Sequence, residues 1–380
     1  MNRRAFLHCA ALLPFAACAR KPLRIPGNDP RLREIIGEFE SQLPKLMAEF
    51  DVPGLSIAVV TGAKIAWRRG FGFKNALART PVDNDTIFQA GSMSKPVFAY
   101  AALKLCEKGV LGLDTPLTTY AGEPFLDGDP RLELITPRHI LSHTAGFPNW
   151  RSNSEPLQIN FTPGSRYRYS GEGYYYLQSV MTRLTGRSDR TDCAEFEGGM
   201  LACASDIDEF LTANVLRPFG MQSSGYFVTD AMQPDMAAPH DEHGKLISQS
   251  RPTPPAVARY AAAGSLLTTP TDYARFIIEI LNPREHDNVR LTRETIDEML
   301  RRHTKVVQGP NTSSWGLGWQ IQDNGLFNHG GDNRGSHCHS IASRESKSAF
   351  VIMTNGDKGA ELIMKVFESK ILERLFTANA

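Results

Sequence analysis

A serine and a lysine three residues apart, Ser92 and Lys95 in the segment GSMSK, form the pair best suited to chemistry in this sequence. At the start of a helix this spacing lets both side chains lie along one face. A serine hydroxyl becomes a useful nucleophile when a neighbouring base takes its proton. A lysine can be that base only where burial or nearby charge disfavours its ammonium form. The spacing alone is weak evidence, because an ordinary first helical turn with an exposed lysine also fits it.

Four further segments follow this pair in a fixed order and make the combination far more specific. They are LSHTAGFP (141–148), FTPGSRYRYSGEGYYYL (161–177), AAAGSLLTTPTDYARF (261–276) and FNHGGDNRG (327–335). With GSMSK they resemble the family of class C β-lactamases, D-alanyl-D-alanine peptidases and related esterases, over about residues 32–375. The resemblance implies a β-lactamase/transpeptidase-like fold and a serine hydrolase of the penicillin-binding-protein-like type.

The resemblance implies roles for the matching residues of the reaction centre. Ser92 is then the nucleophile, Lys95 its proton partner, and Tyr169 the tyrosine that relays protons to the nucleophile and the leaving group. A phenol ordinarily loses its proton near pH ~10, so we expect a cation such as Lys95 to depress the pKa of Tyr169. Packing is the alternative for this tyrosine-rich stretch, since Tyr167 and Tyr174–Tyr176 crowd the same segment.

The segment His329-Gly330-Gly331 matches the strand that β-lactamases write as Lys-Thr-Gly or Lys-Ser-Gly. Glycines let a strand backbone approach a ligand closely, and the resemblance implies that the backbone N–H groups of Ser92 and Asp332 bind the oxyanion. His329 would bind a substrate carboxylate if protonated, or donate one hydrogen bond if neutral. The alternative is a strand-end histidine with no catalytic duty.

Two positions depart from the β-lactamase pattern. Gly171 stands where those enzymes have an asparagine that holds a substrate amide, and His329 stands where they have a lysine. Both changes favour an esterase, or a peptidase or amidase for D-residues, over efficient β-lactam hydrolysis. We therefore expect an exported serine hydrolase that forms an acyl-enzyme on an ester, amide or β-lactam carbonyl of a small-molecule or peptide substrate. The alternative is a penicillin-binding or peptidoglycan-sensing protein that acylates without efficient turnover.

The elements that must position these residues follow from periodicity. Strand-like runs lie near both ends of the chain, at 55–60, 65–73, 316–322, 326–331, 338–343 and 349–355. Helical patterns cover 31–50, where Pro44 should weaken or bend the helix, and then 93–108, 172–184 and 360–376, among others. We predict an α/β fold: a mixed antiparallel sheet flanked by helices, with an inserted, mostly helical lobe, in one hydrolase domain over residues 31–376.

The amino terminus, MNRRAFLHCAALLPFAACARKP, has the composition of an export signal. Arg3-Arg4 resembles a twin-arginine motif, and the residues before Cys18 resemble a lipobox, so a lipid anchor at Cys18 is expected. We assign residues 1–18 to the signal and 19–30 to a tether, which predicts a periplasmic or membrane-anchored protein. The alternative is an amphipathic amino-terminal helix.

The composition excludes some other functions. In 380 residues, 42 Lys and Arg balance 41 Asp and Glu, which argues against nucleic acid as a partner. The serine mechanism requires no cofactor. His337 and His339 would share one face of a strand, a geometry that can bind zinc, but the sequence offers no third and fourth ligands, so no metal site is expected. A Cys193–Cys203 disulfide and the role of the extra segment 187–206, a flap or an inert loop, stay open.

Overall fold

The computed structural model of the protein describes residues 29–122, 124–151, 155–185, 204–248, 260–284, 287–308 and 311–377. The expected signal (1–18) with Cys18, most of the tether, Cys193, Cys203 and nearly all of the segment 187–206 lie outside the described residues. Among the helices that are described, none combines the length and the apolar character needed to cross a membrane.

An antiparallel sheet forms the centre of the described structure. Its strands are β1 (Gly54–Thr61), β2 (Lys64–Asn75), β3 (Thr80–Pro81), β6 (Thr304–Gln308), β7 (Asn311–Trp315), β8 (Gln320–Ile321), β9 (Phe327–Asn333), β10 (Ser336–Ser343) and β11 (Ser348–Thr354), while β4 (Phe88–Gln89) and β5 (Leu267–Thr268) pair separately. The order across the sheet is β3-β2-β1-β11-β10-β9-β8-β7-β6. Because β1 pairs with β11, the two ends of the chain close one sheet, as the sequence predicted.

Helices cover both faces of this sheet. They are α1 (Pro30–Glu49), α2 (Ser94–Glu107), α3 (Pro137–Leu141), α4 (Gly171–Leu184), α5 (Ala204–Leu211), α6 (Pro270–Leu281), α7 (Arg293–Met299), α8 (Gly359–Glu368) and α9 (Lys370–Phe376). One hydrophobic core joins α1, α8 and α9 to one face of the sheet. A larger core joins α2, α4 and α6 to the other face. Strand β11 is buried along its whole length, since both cores contact it.

One detail of the predicted helices is wrong. The carboxyl-terminal pattern 360–376 forms two helices, because Ser369 is extended (φ −74°, ψ 143°) and separates α8 from α9. The helix predicted over 93–108 is confirmed as α2, which starts at Ser94 directly after a short 3-10 turn, Gly91–Met93. The helix predicted over 31–50 is confirmed as α1, one helix of 20 residues that continues through Pro44.

Candidate active site

Ser92 lies in the 3-10 turn that leads into α2, pressed against the end of strand β9. Gly91 has φ +50°, in the region that favours glycine, and a Cβ there would lie 2.9 Å from the backbone nitrogen of Asp332. A Cβ on Gly331 would lie 2.0 Å from the carbonyl oxygen of Ala90. The turn and the strand therefore approach each other backbone to backbone, which requires the glycine at each position.

Lys95 lies one helical turn after Ser92 and is 1% exposed. Its Nζ is 3.1 Å from the Ser92 Oγ and donates a hydrogen bond of 2.7 Å to the Ala263 carbonyl oxygen. No carboxylate contacts it within the described parts of the chain, so no opposite charge offsets the cost of burying its ammonium form. Burial lowers the pKa of Lys95 from 10.5 to about 7. At neutral pH a large fraction of Lys95 is therefore an uncharged amine beside the serine hydroxyl.

Tyr169 completes a three-residue centre, since its side chain hydrogen-bonds to Ser92. The Lys95 Nζ lies 4.7 Å from the centre of the Tyr169 ring. The next residue, Ser170, caps α4 by accepting a hydrogen bond from the backbone N–H of Gly173 at 2.9 Å. The structure thus brings together Ser92, Lys95 and Tyr169, which the sequence motifs place 77 residues apart or less.

The expected direction of the Tyr169 pKa was wrong. Burial raises this pKa above its usual value, and the hydrogen bond to Ser92 only partly opposes the rise. The expectation assumed a positively charged Lys95, whereas burial removes much of that charge at neutral pH. Tyr169 therefore keeps its proton and can donate it, while Lys95 is the group able to accept one.

A histidine to which the sequence reasoning gave no role, His143, holds Tyr169 in place. Its ring is fully buried and lies 4.2 Å from the Tyr169 ring, centre to centre. Its Nδ1 accepts a hydrogen bond of 3.0 Å from the backbone N–H of Ser170. Burial lowers the pKa of His143 well below 6.5, so it stays neutral. Trp315 packs on the same pair, with its ring centre 5.0 Å from His143 and 5.7 Å from Tyr169.

His329 lies on β9 and is 4% exposed. Burial first, and the nearby Lys95 second, lower the pKa of His329 to about 3. Its Nδ1 lies 2.6 Å from the carbonyl oxygen of Gly330, which assigns the ring proton to Nδ1 and leaves Nε2 as an acceptor. Of the two roles foreseen for His329, the lowered pKa argues against carboxylate binding as a cation near neutral pH. The hydrogen bond from Nδ1 to Gly330 argues against donation to a substrate by Nε2.

Asp332 contributes its backbone to the site and turns its side chain outward. The side chain is 74% exposed and lies 2.7 Å from the Nδ1 of His337 across the β9–β10 ladder. That hydrogen bond lowers the pKa of the Asp332 carboxyl. His339 faces Phe367 instead, at 4.7 Å between ring centres. In the described residues, no group of three His, Cys, Asp or Glu side chains is arranged to hold a metal.

Gly171 is the first residue of α4, two residues after Tyr169. A Cβ at this position would lie 2.4 Å from the Trp150 ring, so the indole occupies the space of any side chain here. Trp150 and the partner ring of Tyr260 were not foreseen as site residues. Both line, with Ser92, Tyr169 and His329, a cleft of about 1890 Å³. Trp150 lies two residues after the end of the LSHTAGFP segment, and that position was the available signal.

Comparison with known proteins identifies the family of this chain and agrees with its fold. The family model described as Beta-lactamase matches residues 39–366, so the chain belongs to the β-lactamase family. Esterase EstB from Burkholderia gladioli is 28% identical over 224 residues, which are 50% of this chain and 52% of the esterase. A penicillin-binding protein from Bacillus subtilis is 27% identical over 154 residues, 35% of this chain and 33% of that protein. The chain thus spans about half or less of these relatives.

Two solved structures share the fold. An octameric penicillin-binding protein homologue from Pyrococcus abyssi superposes with a TM-score of 0.69 at 25% identity, covering 85% of this chain and 74% of that one. A β-lactamase/D-alanine carboxypeptidase from Pseudomonas syringae gives a TM-score of 0.72 at 18% identity, covering 88% and 99%. The family and the fold class predicted from the sequence are confirmed.

Proposed function

We propose that this protein is an esterase-type serine hydrolase that forms an acyl-enzyme on Ser92. The observation that carries the proposal is the 3.1 Å contact between the Lys95 amine and the Ser92 hydroxyl. Burial lowers the pKa of Lys95 to about 7, so its neutral form is abundant at neutral pH. A buried neutral amine next to a hydroxyl can act as the general base that activates a serine nucleophile.

The reaction follows from the protonation states of the three residues. Neutral Lys95 takes the hydroxyl proton while the Ser92 Oγ attacks the ester carbonyl, and the backbone N–H groups of Ser92 and Asp332 stabilise the oxyanion. When the tetrahedral intermediate collapses, that proton passes to the departing alcohol, with protonated Tyr169 as the relay. A water molecule, deprotonated by the same route, then attacks the acyl-serine. Its proton returns to Ser92, and the acid is released.

Esters are favoured because two groups that serve other substrates are missing. His329 is neutral, since its pKa is lowered to about 3, and its Nε2 is an acceptor that repels a carboxylate. Gly171 supplies no amide for an acylamino group. The relative named as an esterase supports the same choice. The proposed substrate is therefore an uncharged ester, either a small molecule or an ester-bearing peptide.

Hydrolysis of 4-nitrophenyl acetate by the purified protein tests this proposal. Ser92→Ala should abolish turnover and labelling by a fluorophosphonate, because no other nucleophile replaces the Oγ. The matched control is Ser41→Ala, at an exposed position of α1 on the far side of the sheet, which should retain both. Undiminished turnover by the Ser92→Ala variant would exclude the mechanism.

A penicillin-binding or peptidoglycan-sensing protein is the competing function, supported by the similarity to a penicillin-binding protein. Intact-mass measurement after incubation with a penicillin separates the two. A long-lived adduct on Ser92 without ester turnover favours the binding protein. Ester turnover without an adduct favours the esterase, and rapid loss of the lactam would make the protein a β-lactamase.

We also propose that the protein is exported and anchored by a lipid at Cys18. The proposal rests on the composition of residues 1–18, in which Arg3-Arg4 precedes an apolar stretch and Cys18. In a bacterial host, Arg3→Lys with Arg4→Lys should retain the protein in the cytoplasm. Cys18→Ala should leave it without incorporated radiolabelled palmitate. Palmitate incorporation by the Cys18→Ala variant would exclude the anchor.

A further inference from the structure

We propose that Trp150 selects the acyl group of the substrate. Its indole fills the space beside Gly171 and forms an apolar wall that takes an uncharged, preferably aromatic, acyl group in place of an acylamino group. The inference rests on the proposed function, because it names the substrate class of the same site. The structural reason begins with the contact between Trp150 and Gly171.

Glycine is required at position 171 because the Trp150 indole lies against it, and not because of its backbone conformation. Its φ lies outside the left-handed region, and as the first residue of α4 it would ordinarily tolerate alanine. A Cβ would, however, lie 2.4 Å from Cη2, 2.5 Å from Cζ2 and 2.8 Å from Cε2 of Trp150. These distances are far inside van der Waals contact. The indole and a side chain at position 171 therefore exclude each other.

The backbone on both sides of Trp150 is fixed to the start of α4. The carbonyl oxygen of Asn149 accepts hydrogen bonds from the backbone N–H groups of Gly171 at 2.8 Å and Glu172 at 2.9 Å. Arg151 binds the fully buried Glu172 carboxylate through Nε at 2.9 Å and Nη2 at 2.8 Å, and its backbone N–H donates to the other carboxylate oxygen at 2.9 Å. Residues 149 and 151 thus clamp Trp150 in position.

The exposed side of the indole belongs to the cleft that contains Ser92. Trp150 packs edge to face with Tyr260, at 4.7 Å between ring centres and 87° between planes. An aromatic corner of this kind binds another ring well and offers no pair of amide donor and acceptor groups. Because Gly171 lies two residues after Tyr169 and both rings line the cleft that contains Ser92, the proposal puts the acyl part of the substrate against this corner.

The first experiment compares 4-nitrophenyl phenylacetate with 4-nitrophenyl acetate by kcat/KM. The wild type should prefer phenylacetate, and Trp150→Ala should lower the phenylacetate-to-acetate ratio about tenfold. Trp150→Phe should keep most of the preference, because it retains a ring. Val307→Ala, at a 72% exposed position of β6, is the control and should not change the ratio. A ratio in Trp150→Ala equal to that of the wild type would overturn the proposal.

The second experiment is a double-mutant cycle between positions 150 and 171. Gly171→Ala alone should displace the indole, lower the melting temperature and reduce the phenylacetate preference as Trp150→Ala does. In the Trp150→Ala background, Gly171→Ala should leave the ratio unchanged. It should then maintain or raise the melting temperature, since alanine is the better helix former. Additive effects in the two backgrounds would contradict the steric coupling.

Labelling separates failure of this inference from failure of the proposed function. Two fluorophosphonates, one with a benzyl and one with a methyl group on phosphorus, should modify Ser92 at rates measured by intact mass, whether or not either ester turns over. Absence of Ser92 labelling by both overturns the proposed function, and this inference with it. Ser92 labelling with a benzyl-to-methyl rate ratio that does not respond to Trp150→Ala overturns the inference alone.

Discussion

Two basic side chains of the cleft, Lys95 on α2 and His329 on β9, respond to the same physical cause with opposite results. Both are almost fully buried, and in both burial is the main reason for a lowered pKa. Lys95 starts from 10.5 and falls to about 7, whereas His329 starts from 6.5 and falls to about 3. Burial therefore brings the pKa of Lys95 close to neutral pH, whereas it leaves His329 uncharged there.

The same cause therefore leaves a base beside Ser92 but no positive charge at position 329, on the substrate side of the cleft. A strongly basic group can lose several pKa units and still exchange a proton near neutrality, but a weakly basic group becomes permanently neutral. A histidine in the place of the family's lysine thus gives up the positive charge altogether. Trp150 fills the space beside Gly171, and in the proposed role it favours the same neutral, apolar substrates.

Removal of Lys95 should have the largest effect among the tests of this comparison. Lys95→Ala deletes the base, so kcat for a neutral ester should fall by about 10³-fold. In the wild type, kcat/KM should fall as the pH drops through about 7, because protonated Lys95 cannot accept the Ser92 proton. The variant should lose this acid limb. Lys108→Ala, exposed just beyond the end of α2, is the control and should keep both rate and limb.

Tyr169→Phe should have the next largest effect, a fall in kcat of about 10²-fold. The variant retains the ring that packs on His143 and loses the proton that Tyr169 keeps because burial raises its pKa. The acid limb near pH 7 should remain, since Lys95 is intact. Tyr167→Phe removes a neighbouring hydroxyl from the same segment, and its activity should stay close to that of the wild type. Equal losses in the two variants would contradict the relay.

His329→Lys tests the substrate side of the comparison. A lysine here restores a cation, so kcat/KM for the carboxylate-bearing ester 4-nitrophenyl hemisuccinate should rise about tenfold relative to 4-nitrophenyl acetate. The new charge should also lower the pKa of Lys95 further and move the acid limb below pH 7. Neither change should occur in a variant that keeps position 329 neutral. An unchanged preference in His329→Lys would show that something other than charge excludes carboxylates.

Hydrophobic periodicity in the sequence predicted the fold well, because most helices and strands are specified by residues close together in the chain. The alternating and apolar runs at 55–60 and 349–355 became β1 and β11, which pair as antiparallel neighbours. The break at Ser369 was missed because neither glycine nor proline marks it, and packing of α8 and α9 decides it. The roles of Ser92, Lys95 and Tyr169 came from ordered motifs, and they stay predictions until the variants are measured.

What the sequence could not predict depends on contacts between distant segments. The Lys95 amine is held by the Ala263 carbonyl oxygen, 168 residues away, and the missing side chain at Gly171 is explained by a ring 21 residues earlier. The wrong direction for the Tyr169 pKa has the same origin. Desolvation depends on everything that packs around a group, whereas a motif specifies only the group and its neighbours in the chain.

His329→Gln should have the smallest effect. It is therefore the sharpest test of the argument that His329 stays neutral and takes no part in proton transfer. Glutamine is neutral, like His329 across the accessible pH range, and its amide can also donate to the Gly330 carbonyl oxygen, as the Nδ1 of His329 does at 2.6 Å. Activity on 4-nitrophenyl acetate should therefore change by about threefold or less. The acid limb near pH 7 should not move, because it belongs to Lys95. A shifted limb in His329→Gln would mean that His329 titrates with Lys95, and the contrast between the two side chains would fail.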